Sequence, residues 1–232
     1  MKQDEFRSGD LQAMDPLVRL EDDAMERMLR GERRPASGSR FTAGKPWKQL
    51  VLESACACLY DVLSGGSRTG RDAQLEMAVI RRWNRRYERF HSPEHYLLTR
   101  EAVVGRMSDY VERLAGAVPI VLFETFVHYL PELDMEVKQT FHLVLQEETD
   151  QGGMAVHKLI VDESPEALEL YAHMTTVYFR ALYGVMPSRI EAVSLLTGNV
   201  YQWRPDEADW QTSVDYLQVI KSMLAAPDGI AH

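Results

Sequence analysis

The sequence contains no uncharged apolar run of about 18 residues, so it offers no membrane-spanning helix. Its first ten residues, MKQDEFRSGD, lack the apolar stretch of a signal peptide. Cysteine is scarce. Cys56 and Cys58 lie two apart in an apolar stretch, where one helix would point them in different directions, which disfavours an intramolecular disulfide. Positive charge is also short: 26 Lys and Arg stand against 35 Asp and Glu, a net charge of −9. That balance argues against a constitutive coat for nucleic acid or an anionic membrane, while leaving room for a local patch. These absences fit a reducing cytoplasm and no membrane partner.

The 232 residues are 45% hydrophobic and 26% charged, an ordinary globular mix with enough apolar material for a core. Length alone allows one domain with additions or two small ones. Charge is unevenly spread. Residues 119–232 carry six basic and seventeen acidic side chains, so a site there works in an acidic background.

Residues 1–16 are polar and read as frayed. The loose apolar spacing of Leu17, Leu20, Met25, Met28 and Leu29 predicts a helix over 17–31. Residues 32–46, rich in Gly, Ser and Pro, read as a linker. On this reading 1–46 is an appendage and 47–232 a single domain. A helical half follows, with a buried helix over 47–63 and an amphipathic one over 71–90 whose stripe holds Trp83, Tyr87 and Phe90. Ser92-Pro93-Glu94 is a helix start, with a capping Ser, Pro at the first position and then an acid, and residues 100–116 form an amphipathic helix.

The period changes near residue 119. PIVLFETFVHYL (119–130) is β-branched and aromatic. In DMEVKQTFHLVLQEE (134–148), Met135, Val137, Phe141, Leu143 and Leu145 fall on one side, with Gln139 as the exception, and His142 and Val144 on the other. A turn at 149–153 leads to a third strand over 154–163. Ser164-Pro165-Glu166 opens a helix to Tyr183, and 189–196 and 200–203 are strands before a last helix over 207–225. The expected fold is α+β: a mixed sheet flanked by helices, with a helical N-terminal region.

Four constellations carry possible chemistry. Arg82, Arg85, Arg86 and Arg89 could contact phosphates beside stacking aromatics, or be solvated charges around a core stripe. His91 and His95 have metal-ligand spacing, but the cap at Ser92 separates them. Cys56 and Cys58 lack the second pair of a zinc site and read as small buried residues. On the sheet, Glu124, His142, Asp162 and Glu163 could converge on a divalent ion, or Glu124, Asp162 and Glu163 be ordinary strand-end acids and His142 a residue on the polar face of an alternating strand.

The order helix, three strands, helix, strand over about 47–225 resembles the PD-(D/E)XK nuclease core, the restriction-endonuclease-like fold, and is closer to its RecB-type exonuclease branch. The segments that carry the resemblance are QTFH (139–142), LIVDES (159–164) and ALELYA (167–172). That family carries a G-x-I-D segment, a D-x-K or E-x-K segment and a Q-x-x-x-Y helix; its acids hold Mg²⁺ and its Lys helps position the attacking water. Here His142 stands at the Asp position and Gln139 at the Gly. Asp162 matches the acid, but Ser164 replaces the Lys, and a shift of one residue offers only Val161 and Glu163. Ala167 replaces the helix Gln and Tyr171 persists. The resemblance therefore implies a catalytically degenerate nuclease-like domain, with no required cofactor, that binds DNA or a partner protein in a larger assembly. Its alternative is an active Mg²⁺- or Mn²⁺-dependent deoxyribonuclease with a variant site of Glu124, His142, Asp162, Glu163 and Tyr171, in which His142 and Asp162 hold the metal. A helical regulatory protein without a nucleic-acid role is a further alternative.

Overall fold

The computed structural model describes residues 18–29, 45–65, 70–114, 117, 119–147 and 153–225. The polar segment 1–16, most of the 32–46 linker and the 149–152 part of the expected turn lie outside the described residues. In chain order the elements are β1 (Arg19–Glu21), α1 (Asp22–Leu29), α2 (Trp47–Ser64), α3 (Arg71–Arg82), α4 (Pro93–Arg113), β2 (Pro119–Leu130), β3 (Met135–Glu147), β4 (Gly153–Ile160), α5 (Pro165–Tyr183), β5 (Arg189–Ser194), β6 (Val200–Trp203) and α6 (Glu207–Ala225). The fold is α+β, with one mixed six-stranded sheet.

Strands β2, β3 and β4 form an antiparallel meander, as their short connections require. The fourth expected strand, β5, returns through α5 and so pairs parallel to β4; β6 then pairs antiparallel to β5. One apolar cluster joins α2, α3 and α4 to Leu143, Leu145, Leu159 and Val193 of the sheet. A second joins α5 and α6 to Phe141, Val144, Val156 and Ile190. The sheet is thus covered by helices on both faces.

Both Ser-Pro-Glu signals act as helix starts. Ser92 Oγ accepts the His95 N–H at 3.1 Å and Ser164 Oγ accepts the Ala167 N–H at 3.3 Å, each with Pro at the first helical position. The first signal opens α4 at Pro93, so the expected 100–116 helix is longer at its start. Helix α5 ends at Gly184, whose φ of 69° is the left-handed cap that glycine adopts without strain.

Three expectations are corrected. The helix expected over 71–90 stops at Arg82, and only a 3-10 turn follows at Tyr87–Arg89. Tertiary partners claim the backbone there: Asn84 N–H donates to Ser54 Oγ at 3.2 Å, and Tyr96 OH donates to Asn84 O at 2.8 Å. Trp83 and Phe90 are buried, but Tyr87, released from the helical period, is 58% exposed.

The helix expected over 17–31 is preceded by a strand, and its described part packs on the domain. Residues 19–21 form a strand parallel to β3, with Leu20 opposite Val137, and the helix expected from 17 begins only at Asp22. Leu20 and Met25 are buried in the cluster under α5.

The alternation of β3 also inverts. Met135, Val137 and Phe141 belong to the α5 side, whereas Leu143 and Leu145 belong to the α2–α4 side and Val144 to the α5 side. The change of side falls at His142.

Candidate functional site

The site begins where two strands part. Ladder pairing between β3 and β4 covers Leu143–Glu147 against Gly153–His157 and goes no further. Lower on the same strand, β1 lies against Glu136–Lys138. Between these pairings, buried amides need other acceptors. Thr140 N–H donates to Asp22 Oδ2 at 2.9 Å, and Leu159 N–H donates to His142 Nδ1 at 2.9 Å. Side chains from α1 and β3 thus replace the missing carbonyls of the ladder.

Lys158 of β4 enters this gap. It is buried, its ammonium is ion-paired with Glu26 of α1, and Nζ lies 4.1 Å from the ring centroid of Tyr171 on α5. Burial opposes the charge, but the Glu26 and Asp22 carboxylates outweigh it and hold the ammonium above its ordinary pKa. Burial, with the Lys158 charge adding to it, pushes the neighbouring His142 imidazole down to about 3. His142 is therefore neutral at pH 7. With Nδ1 accepting an amide hydrogen, its ring proton sits on Nε2.

A cavity of about 380 Å³ adjoins the gap, lined by Lys158, His142, Phe123, Cys56, Lys48 and Asp162 among others. Burial raises the Cys56 thiol to about 12, so no thiolate nucleophile faces this space at neutral pH.

Several expected site residues are brought together and others are not. His142 and Asp162 line the same cavity, and Tyr171 lies beneath Lys158. Asp162 Oδ1 accepts from Lys48 Nζ of α2 at 3.0 Å. Glu124 is exposed on β2 opposite Phe141 and does not line the cavity. Glu163 turns to the β5–β6 connection, where it accepts from Thr197 Oγ1 at 2.5 Å, from Asn199 Nδ2 at 3.1 Å and from Tyr201 OH. Hydrogen bonds from Ser194, Thr197 and Tyr201 hold its carboxyl down at about 2. The four sheet residues therefore do not converge. Among the described residues no group of three or more His, Cys, Asp and Glu side chains is placed to hold a metal ion.

The sequence reading missed Lys158, Glu26 and Asp22. A signal was present: Lys158 is the one charge that never titrates near neutrality in the apolar strand MAVHKLIV, and a buried strand lysine demands a counter-ion.

Arg82 ends α3, and the other three arginines sit on the connection that follows it. Arg82 is tied to Asp61 by bonds of 3.0 and 3.1 Å. Arg85, Arg86 and Arg89 are exposed around the 3-10 turn. His91 precedes α4 and is separated from His95 by the Ser92 cap, although the two rings lie 4.7 Å apart.

Comparison with known protein families and with curated proteins yields no match for this chain.

Proposed function

We propose that the chain is a PD-(D/E)XK-like domain that has lost catalysis and serves as a binding module, for nucleic acid or for a protein, in a larger assembly. The observation that carries this reading is the Lys158–Glu26 ion pair in the gap between β3 and β4. Hydrolysis of a phosphodiester by a bound divalent ion needs open carboxylate oxygens around that ion. In this gap the cation is the chain's own ammonium. It engages Glu26 directly, lies in the field of Asp22, and would repel Mg²⁺. His142, at the position of the family's Asp, gives its Nδ1 lone pair to the Leu159 amide and is left with an N–H donor, not a ligand. The acidic second half works against phosphate approach, whereas exposed Arg85, Arg86 and Arg89 supply a local cationic turn.

The test is a time course on labelled single- and double-stranded DNA with Mg²⁺ and with Mn²⁺, alongside an Asp162→Ala control. The expected result is no cleavage with either ion. Robust Mg²⁺-dependent cleavage that Asp162→Ala abolishes would overturn the reading and favour the variant-site nuclease, for which the shared cavity of His142 and Asp162 is the supporting observation. DNA binding that weakens when Arg85, Arg86 and Arg89 are replaced by Ala supports the nucleic-acid form of the module. Absence of DNA binding leaves the protein-binding form.

A further inference from the structure

Helices α3 and α4 present a second partly apolar surface away from the Lys158 gap. A groove of about 670 Å³ runs between them, lined by Leu75, Val79 and Ile80 of α3 and by Leu97, Arg100 and Val104 of α4, with Asp72, Glu76 and Glu101 on its rim. On α3 the groove residues 72, 75, 76, 79 and 80 recur at the spacing of one helix face; on α4 residues 97, 100, 101, 104 and 108 do the same. The α4 stripe is distinct from the one that α4 gives to the core, which runs through Thr99, Val103, Met107 and Tyr110. Apolar side chains stay open along it: Ile80 is 52% and Leu97 58% exposed, flanked by Met77 and Leu98. Among the described residues no element is seated in the groove.

Two neighbouring stripes of this kind offer a seat to a third helix, whose side chains would enter the trough between them. The rim decides its charge: three carboxylates, Asp72, Glu76 and Glu101, stand against the single guanidinium of Arg100. Helix α3 spans twelve residues, a length of about 18 Å at roughly 1.5 Å per residue, which matches about three turns of a partner.

We propose that the α3–α4 groove docks an amphipathic helix of a partner protein, with apolar residues at i, i+3, i+4 and i+7 and Lys or Arg on its flanks. The apolar face packs against Ile80, Leu97 and Val104 above the buried Leu75 and Val79, and the flanking cations meet Glu76 and Glu101. This inference deepens the protein-binding form of the function proposed above by naming the partner's chemistry. Its readout is peptide binding, separate from DNA cleavage, so either proposal can fail without the other.

The experiment is fluorescence anisotropy with the full-length protein and two labelled helical peptides of about 14 residues, long enough to hold three to four turns. One is a Leu/Lys amphipathic peptide and the other its Leu/Glu counterpart with the same apolar pattern. The Leu/Lys peptide should bind at least about tenfold tighter and lose affinity as salt is raised. Ile80→Arg and Leu97→Arg should each weaken it about tenfold or more, with circular dichroism confirming the fold. Glu76→Lys combined with Glu101→Lys should invert the preference toward the Leu/Glu peptide, a result that misfolding does not produce. Val219→Arg on α6, also an exposed apolar position, should leave binding unchanged. Equal binding of the two peptides, no binding, or binding indifferent to the groove substitutions overturns the proposal. So does a concentration-dependent dimer in light scattering that Ile80→Arg dissolves, because a second copy would then be the occupant.

Discussion

His142 Nδ1 accepts the Leu159 amide at 2.9 Å, so an imidazole from β3 completes the backbone hydrogen bonding of β4 where the two strands have parted. The ring acts as a surrogate carbonyl. It keeps β4 satisfied while leaving the gap that Lys158 occupies, and it requires His142 to stay neutral.

That requirement makes stability depend on pH. The His142 pKa falls from 6.5 in the unfolded chain to about 3 in the fold, and that of His157, buried chiefly at the expense of its charge, falls to about 4. Between about pH 6.5 and 4 the unfolded state binds protons that the folded state refuses. Stability is then full above 6.5 and declines as pH falls, by up to about 1.4 kcal/mol per pH unit for each histidine. Urea unfolding at pH 7, 6 and 5 should show this decline, and His142→Asn together with His157→Asn should flatten it. An unchanged slope in the double variant would refute the assignment.

The Lys158–Glu26 pair should be far more sensitive to loss of one partner than of both. Lys158→Met or Glu26→Gln alone unbalances the charge of the gap, an effect of up to about 3–5 kcal/mol. Lys158→Met with Glu26→Leu should recover much of that loss, because it removes both desolvation penalties. Chemical denaturation of the three variants gives the order directly. Additive losses in the double variant would mean the two groups do not depend on each other.

Glu163 holds the β5–β6 connection through its hydrogen bonds to Thr197, Asn199 and Tyr201. Its folded pKa of about 2 lies below the ordinary 4.5, so its contribution is present above pH 4.5 and is lost as pH falls from there toward 2. Glu163→Gln should destabilise the protein at pH 7 and reduce its further loss of stability between pH 4.5 and 2. Urea unfolding of both proteins across that pH range checks the change, and an unaltered pH dependence in the variant would refute the clamp.

Trp83 and Tyr87 separate a core aromatic from a surface one. Trp83→Ala should cost about 3–5 kcal/mol, because the indole is buried among α2, α3 and α4 residues. Tyr87→Ala should stay within about 0.5 kcal/mol, as expected for an exposed side chain. Thermal or urea unfolding of both variants checks the contrast.

The parts of the fold that were legible share one property: their causes lie within a few residues. Ser92-Pro93-Glu94 and Ser164-Pro165-Glu166 marked helix starts because a hydroxyl needs only the N–H three residues on. The switch to alternation near 119 marked the meander because a strand's period is set by its own backbone. Where a distant partner intervenes, the same rules fail. Ser54 and Tyr96 capture the Asn84 backbone and end α3 eight residues earlier than its pattern suggests. His142 turns into the gap between strands, and the alternation of β3 reverses around it.

The site divides in the same way. That β3 and β4 would be neighbours, that Tyr171 would lie on the following helix, that His142 would lie on β3 and that Asp162 would stand at the end of β4 all follow from local period and short connections. The sequence by itself also determined that Lys158 sits in an apolar strand, and hence that its charge needs a partner. Only the tertiary structure decided which one. Glu26 is 132 residues away, on a helix that reaches β4 because Leu20 and Met25 bury themselves under α5 and β1 pairs with β3. Propensity and periodicity extend about one helical turn or one strand pair along the chain. An ion pair closed by the burial of a remote apolar segment has no local cause for them to register.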